Sequence, residues 1–152
     1  MAKLSAGLLV HRRGEAGREV LLVHPGGPFW AKKDAGAWSI PKGEYAEDED
    51  PLEAARREFA EELGIDPPAG EPVPLGEVRQ SGGKRVLAWA VEGDVEPRVE
   101  ECNTFEIEWP PRSGRLQQFP EVDRAEWFTV DVARGKVHTA QVALLDRFAE
   151  LV

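Results

Sequence analysis

Three glutamates, Glu58, Glu61 and Glu62, fall within five consecutive residues of the sequence. Side chains three and four residues apart on a helix are neighbours, and like charges at that spacing destabilise a helix by roughly 0.2–0.5 kcal/mol per pair. A hard divalent cation such as Mg²⁺, Mn²⁺ or Ca²⁺ would offset this repulsion, because such ions prefer oxygen ligands. A solvated acidic face without a ligand is the alternative, and the three glutamates alone leave both interpretations open.

The surrounding residues predict a short and firmly capped helix that carries these glutamates. Asp50 suits the N-cap, Pro51 the first helical position, and Glu53 the capping-box position. Apolar residues that should face the core recur at helical spacing: Leu52, Ala55, Phe59 and Leu63. Gly64 predicts the helix end. The glutamates should therefore lie beside the glycine-containing loop 41–44, an arrangement that can hold a metal.

Gly43, Glu49 and the segment 57–65 (REFAEELGI) form one spaced motif. It reads as a glycine, five residues, a glutamate, seven residues, and then an Arg-Glu pair followed by a Glu-Glu pair and a glycine. This pattern resembles the signature of the Nudix hydrolases, the MutT-like superfamily, at every fixed polar and glycine position. The one departure is Phe59, an aromatic residue where that family usually has an aliphatic one, and it still suits a core position.

Two further segments resemble parts of Nudix chains outside this motif. Residues 38–43 (WSIPKG) resemble the strand and turn before the motif, where a carbonyl oxygen often ligates metal; here that carbonyl belongs to Lys42. The Pro-Lys-Gly form of the turn is frequent in the dinucleoside polyphosphate and diphosphoinositol branches. Residues 119–128 resemble the entry to the last strand, where a loop carboxylate approaches the metal. That position is Glu121, for which an exposed loop acid is the alternative.

The resemblance implies a metal site that uses Mg²⁺, with Mn²⁺ as the alternative. Glu61 and Glu62 would ligate the metal together with the Lys42 carbonyl. Glu58 would be a further ligand or a base, Glu121 would approach from its loop, and either of these two would act as the general base. Lys42 is also a candidate contact to the substrate.

Arg57 and two residues outside the motif are the remaining candidates. We expect Arg57 to hold Glu49 or Glu61 by a bidentate ion pair, a supporting role within the site. Trp30 lies beside lysines in a loop rich in glycine and proline, and it would either stack on a base or seal the loop to the core. Arg79 would either reach substrate phosphates or remain a solvated surface charge, and the second is favoured.

The rest of the pattern predicts one α/β domain over residues 1–152. The expected elements are strands at 5–10, 19–24, 73–80, 84–91 and 104–109, a polar loop at 110–118, a last strand after 119–128 and a C-terminal helix at 138–152. Their alternation predicts an α/β/α sandwich around a mixed β-sheet, which is also the fold that the resemblance implies. His24, at the end of a predicted strand, is interpreted as structural or solvent-facing rather than catalytic.

Composition limits the classes of partner. The net charge of −9 argues against a nucleic-acid-binding surface and against anionic membranes, but it suits an enzyme that meets polyphosphate through a metal. A single cysteine, Cys102, cannot form an internal disulfide, which suits a reducing cytoplasm. No apolar run is long enough for a signal peptide or a membrane span. We expect a cytoplasmic monomer or homodimer that acts on a small molecule.

The expected function is hydrolysis of a phosphoanhydride bond in a nucleoside diphosphate linked to another moiety. The turn at Lys42 favours dinucleoside polyphosphates. A pyrophosphatase of modified nucleoside triphosphates is one alternative, and a non-catalytic Nudix-like nucleotide-sensing module is another. The resemblance disfavours the sensing module, because such modules commonly lose the metal-binding glutamates that are intact here. The acidic chain disfavours action on capped RNA.

Overall fold

The computed structural model describes residues 3–151, which contain a six-stranded mixed sheet, a separate two-stranded hairpin and three α-helices. The strands are β1 (Leu4–Gly14), β2 (Gly17–Pro25), β3 (Lys42–Glu44), β4 (Val73–Arg79), β5 (Arg85–Glu92), β6 (Thr104–Glu108), β7 (Leu116–Pro120) and β8 (Val122–Thr129). The helices are α1 (Pro51–Leu63), α2 (Val130–Lys136) and α3 (Val142–Leu151). None of the helices within this range is both long enough and apolar enough to cross a membrane.

The large sheet has the strand order β4-β5-β1-β2-β8, and β3 pairs with β1 on the same side as β2. β1 runs parallel to β5 but antiparallel to β2 and β3, so the sheet is mixed, as predicted. Both predicted hairpins of this sheet, β1 with β2 and β4 with β5, are confirmed.

Hydrophobic cores cover both faces of the sheet. Leu9 of β1 packs into the core that includes α2 and α3, whereas its neighbours Leu8 and Val10 pack into the core that includes α1. Because each face of the strand is buried, successive residues are apolar and do not alternate with polar ones. The predicted α/β/α sandwich is therefore confirmed.

A fork between β1 and β2 determines where the loop before α1 runs. The two strands pair only near their connecting turn, through residues 11–14 and 17–20. Beyond these residues the strands separate, and the segment 38–44 fills the gap. It is held to both strands by backbone hydrogen bonds, between Ser39 and Val23 (2.8 and 3.0 Å) and from Leu8 to Pro41 (3.1 Å). β3 then continues along β1, which brings Gly43 against α1.

Helix α1 begins and ends where the sequence predicts. The Asp50 side chain accepts a hydrogen bond from the Glu53 backbone N–H (3.2 Å), Pro51 is the first helical residue, and Gly64 ends the helix in the left-handed conformation (φ 66°). The apolar face packs into the core through Ala54, Ala55, Phe59 and Leu63. The glutamate face is thereby directed towards β3.

Besides β1, which continues to Gly14 instead of ending at Val10, two predicted boundaries were wrong. The predicted polar loop 110–118 ends earlier, because β7 begins at Leu116 and pairs with β6. The predicted C-terminal helix from His138 is two elements, a 3₁₀ turn at 139–141 followed by α3 from Val142. In both places backbone pairing or capping sets the boundary, and the side-chain pattern does not show it.

Candidate active site

A cleft of about 160 Å³ opens where the end of β2, the segment 37–42, α1 and the start of β8 meet. Its lining residues are Val23, Pro25, Ala37, Ser39, Ile40, Lys42, Glu62, Glu121 and Val122. The fold thus brings three of the predicted site residues, Lys42, Glu62 and Glu121, to one cleft from three separate parts of the chain.

Glu62 is the most unusual group in this cleft. Its side chain is 9% exposed, and its Oε2 atom has no hydrogen-bond partner. Burial raises the pKa of the Glu62 carboxyl well above its ordinary value; the charge of Lys42 opposes this rise, and the charges of Glu58 and Glu121 add to it. A carboxylate in this environment is costly unless a cation or a hydrogen-bond donor contacts it.

Glu58 lies against the loop that precedes the helix. A Cβ atom on Gly43 would overlap the Glu58 carboxyl group, so a side chain here would displace that carboxyl from its position. Burial raises the pKa of the Glu58 carboxyl, its hydrogen bond from Arg57 opposes that rise, and the charge of Glu61 adds to it. Two glutamates of α1 therefore have pKa values shifted towards the protonated form.

Arg57 contacts more carboxylates than the one pair expected from the sequence. Its guanidinium pairs with Glu49, donates to Glu58 Oε1 (3.2 Å) and lies 3.8 Å from Glu61 Oε1. It also donates to the backbone carbonyl of Glu44 (3.4 Å). This single cation therefore orients three acidic side chains and the loop before the helix.

Five predicted site residues are not among those that line the cleft: Arg57 and Glu58, described above, and Glu61, Trp30 and Arg79. Glu61 has 39% of its side chain exposed. Trp30 is 40% exposed on the loop 26–36, where the Lys33 ammonium lies 5.0 Å from the centre of its ring. Arg79 is exposed at the end of β4, opposite Arg85 of β5.

Ser39 and Gln141 were missed by the sequence reasoning. The Ser39 hydroxyl accepts a hydrogen bond from Gln141 Nε2 (3.0 Å), and the same amide nitrogen donates to Gln80 Oε1 (3.0 Å). Gln141 Oε1 accepts from the Ile40 backbone N–H (3.0 Å). Ser39 and Gln141 are 102 positions apart, so no local spacing could have revealed their contact.

One buried oxygen of the cleft suits a hard divalent cation. Within residues 3–151, no three carboxylate, histidine or cysteine side chains form a complete metal-ligating group as they stand. The unpartnered Oε2 of buried Glu62, beside further carboxylates on the same helix, is nevertheless an oxygen donor of the type that Mg²⁺ and Mn²⁺ prefer. Glu62 is therefore the side chain of the cleft with an oxygen free to ligate such an ion.

The sequence matches the NUDIX domain family over residues 1–148. It is also similar to a protein of Bifidobacterium longum (strain NCC 2705) described as a nucleoside triphosphate pyrophosphatase/Nudix hydrolase fusion protein. The two are 34% identical over 113 residues, which cover 70% of this chain and 23% of that protein. The chain therefore spans less than a quarter of this relative.

Solved structures share the fold. The chain resembles an Ap4A hydrolase of C. elegans in a binary complex, with a TM-score of 0.69 and 20% identity over 97% of this chain and 96% of that one. It also resembles the NUDIX domain of Shewanella oneidensis NrtR complexed with ADP ribose, with a TM-score of 0.65 and 19% identity over 99% and 88% of the two chains. By its match along nearly the whole sequence and by its fold, the chain belongs to the NUDIX domain family.

Proposed function

We propose that the protein hydrolyses a phosphoanhydride bond in a nucleoside diphosphate linked to a second moiety, and that it uses a divalent cation held by the glutamates of α1. The observation that carries this proposal is Glu62, a buried carboxylate whose Oε2 atom has no partner, in a cleft shared with Lys42 and Glu121. A cation at this oxygen offsets the cost of its burial and draws phosphate oxygens into the cleft.

The proposed ligands are Glu61, Glu62 and the Lys42 carbonyl, with Mg²⁺ as the ion and Mn²⁺ as the alternative. When bound, such an ion neutralises phosphate oxygens and lowers the pKa of a coordinated water, so that hydroxide is available near neutral pH. Arg57 keeps Glu58 and Glu61 in place, because its fork of donors reaches both.

Glu58 and Glu121 are the two candidates for the group that accepts the proton of the attacking water. Burial raises the pKa of Glu58, which favours proton uptake, and Arg57 fixes its carboxyl group. Glu121 is exposed and reaches the cleft from the loop before β8. The variants Glu58→Gln and Glu121→Gln distinguish the two candidates. Loss of the general base should abolish the hydrolysis step in which water attacks.

Three side chains are proposed to bind the substrate. Lys42 faces Glu62, and its ammonium can contact a phosphate while its carbonyl serves the metal. Trp30 projects from the loop 26–36, which joins the lining residues Pro25 and Ala37, so its exposed ring can stack on a base at the cleft entrance. Arg79 would contact the distal end of a long phosphate chain.

The proposed substrates are dinucleoside polyphosphates, which are small molecules. We also propose that the protein acts in the cytoplasm, as a monomer or a homodimer. The Pro-Lys-Gly turn at 41–43 supports this class, and the fold is shared with an Ap4A hydrolase. A pyrophosphatase of modified nucleoside triphosphates is the second candidate. The fusion protein of Bifidobacterium longum, with pyrophosphatase and Nudix hydrolase in its description, favours that second candidate.

The test is a product assay on four nucleotide classes, with Mg²⁺, with Mn²⁺ and with a chelator. The panel contains diadenosine tetraphosphate, an oxidised deoxynucleoside triphosphate, ADP-ribose and a diphosphoinositol phosphate. We expect metal-dependent cleavage of diadenosine tetraphosphate, and its loss in Glu61→Gln but not in Glu53→Gln, an exposed glutamate of the same helix. Nucleotide binding without cleavage of any member would instead indicate a sensing module.

A further inference from the structure

His24 is a buried titratable residue that the proposed mechanism does not use. It lies near the end of β2, has 0% exposure, and packs edge-on against the Trp38 ring with the ring centres 5.2 Å apart. Its Nδ1 atom is 2.8 Å from Asp123 Oδ1, and its Nε2 atom is 2.6 Å from the backbone carbonyl oxygen of Lys33. The ring thus joins the loop 26–36 to β8, two segments that are far apart in sequence.

Both contacts of the ring are hydrogen bonds, and the direction of the one to Lys33 is defined. The Lys33 carbonyl has no proton to give, so Nε2 carries a proton and donates it. The Asp123 carboxyl group shares a proton with Nδ1, because two unprotonated atoms would repel each other at 2.8 Å. In a buried setting of low dielectric, hydrogen bonds are stronger than they are at the surface. His24 is therefore a firm cross-link and not a filler of the core.

Asp123 occupies an irregular position in the sheet. In the pairing of β2 with β8, His24 lies opposite Arg124 and Pro25 lies opposite Val122, so Asp123 is the extra residue of a β-bulge. Bulges redirect the side chains next to them. The hydrogen bond between Asp123 and His24 holds the bulge in place, and the bulge sets the direction of the chain at the start of β8.

Glu121 lies two residues before this bulge and is tied to the same end of β2. Its backbone carbonyl accepts a hydrogen bond from the Gly26 N–H (3.0 Å), and its own N–H donates to the Asn103 carbonyl (2.9 Å). A Cβ atom on Gly26 would overlap the carbonyl oxygen of Pro120, so the two backbones are in direct contact. A displacement at the end of β2 is therefore transmitted to Glu121.

We propose that His24 is a positioning residue for Glu121. Through Asp123 it sets the angle at which the loop carboxylate enters the cleft, and through Lys33 it holds the loop 26–36 against the same strand end. This inference rests on the proposed function, in which Glu121 acts at the cleft. His24 does not line the cleft and contacts no reacting atom.

Two amide variants separate the two bonds of the ring. His24→Asn retains a donor near the position of Nδ1 and so keeps the link to Asp123, whereas His24→Gln retains one near Nε2 and loses that link. We expect His24→Gln to lower kcat by about 10-fold with little change in KM, because small misplacements of a catalytic group carry penalties of this order. His24→Asn should recover most of kcat. The control is His11→Gln, a buried histidine near the other end of the β1–β2 hairpin, which should leave kcat unchanged.

Hydrogen exchange of the Gly26 amide provides a readout that does not depend on turnover. We expect faster exchange in His24→Gln than in His24→Asn or His11→Gln, because the bond to the Glu121 carbonyl loosens when the bulge is released. Asp123→Ala removes the same link from a partly exposed residue and should reproduce both effects even where His24→Gln fails to fold.

The outcomes separate this inference from the proposed function. If the wild-type protein cleaves no nucleotide, the proposed function is contradicted. Hydrogen exchange of the Gly26 amide then still tests whether His24 positions the backbone of Glu121. A slow Glu121→Gln variant together with an unimpaired Asp123→Ala variant contradicts the positioning role alone. Equal Gly26 exchange in His24→Gln and His11→Gln contradicts it as well.

Discussion

Gln141 and Glu62 are buried polar side chains that reach the segment 38–44 from elements on opposite faces of the sheet. Gln141 is 1% exposed, and its amide is fully used, since it accepts from Ile40 and donates to Ser39 and Gln80. Glu62 is 9% exposed, and its Oε2 atom is without a partner. Gln141 completes its hydrogen bonds within the protein, whereas Glu62 keeps one oxygen that can accept a hydrogen bond or ligate a cation.

The number of hydrogen bonds that a buried polar side chain makes distinguishes a group that supports the fold from one that can bind a ligand. A buried amide with every hydrogen bond made stabilises the fold, because its removal would leave other groups unpaired. A buried carboxylate with a free oxygen destabilises the fold on its own and is expected at sites that bind cations. Four experiments test whether the two residues differ in this way.

Activity should show the largest difference. Glu62→Gln preserves the shape of the side chain but removes its charge, and we expect it to lower the rate of nucleotide hydrolysis by about 100-fold, the upper range for a disturbed metal site. Initial rates at saturating Mg²⁺ measure the effect, and Glu53→Gln is the control. A Glu62→Gln variant as fast as the wild type would remove Glu62 from the metal site.

Metal binding should stabilise the folded protein through Glu62 and not through Gln141. At a Mg²⁺ concentration about 100 times the dissociation constant, the stabilisation is about 2.7 kcal/mol, and it raises the Tm. We expect this rise in the wild type and in Gln141→Leu, but not in Glu62→Gln. Thermal denaturation with Mg²⁺ and with a chelator measures the rise in Tm. An equal rise in Glu62→Gln would contradict metal binding through Glu62.

Stability without metal should show the opposite dependence. Gln141→Leu leaves the buried Ile40 N–H without an acceptor, and we expect a loss of about 1–3 kcal/mol in the free energy of unfolding. Glu62→Gln should be at least as stable as the wild type, because a neutral amide is less costly to bury than a carboxylate. Urea denaturation measures both, with Gln118→Leu as an exposed control. An unchanged stability in Gln141→Leu would show that its three bonds contribute nothing.

The pH dependence of stability should show the smallest difference. The pKa of Glu62 in the folded protein lies well above its ordinary value of 4.5 because of burial. Below pH 4.5 the Glu62 carboxyl is protonated in the folded and in the unfolded protein, and the folded state has the full benefit of a neutral buried group. This stabilisation is lost as pH rises through the pKa of the folded protein, because the carboxyl then ionises where it is buried. In the presence of a chelator, the Tm of the wild type should therefore fall behind that of Glu62→Gln as pH increases.

Gln141 supplies the reference for this measurement, because an amide does not titrate. The Tm difference between the wild type and Gln141→Leu should stay constant over the same pH range. A constant difference between the wild type and Glu62→Gln would contradict the shifted pKa of the buried carboxyl.

Local signals in the sequence predicted α1 well. Asp50, Pro51 and Gly64 each act within one helical turn, so their effect on the helix ends does not depend on the rest of the fold. The same holds for the β1–β2 hairpin, where apolar residues and a polar turn are adjacent. The sequence also predicted that the three glutamates of α1 lie beside the loop that contains Gly43, and Gly43 does lie against Glu58.

Contacts between distant segments could not be predicted in this way. The bonds of Gln141 to Ser39 and of His24 to Asp123 depend on the packing of the whole sheet. β7 was missed because most of its side chains are exposed, so no alternation of polar and apolar residues marks it as a strand. Its existence depends on backbone pairing with β6, a partner that lies across a turn of polar residues.

The β6–β7 hairpin pairs with no strand of the six-stranded sheet within the described residues. It meets the loop 26–36 through the edge-on contact of Trp109 with Phe29 and through Phe105, which lies against Gly27. Both segments flank the cleft without contributing to the strand pairing that holds the glutamates. We therefore expect substitutions and insertions in these two segments to change which molecules enter the cleft, while the register of the six-stranded sheet and the position of α1 stay the same.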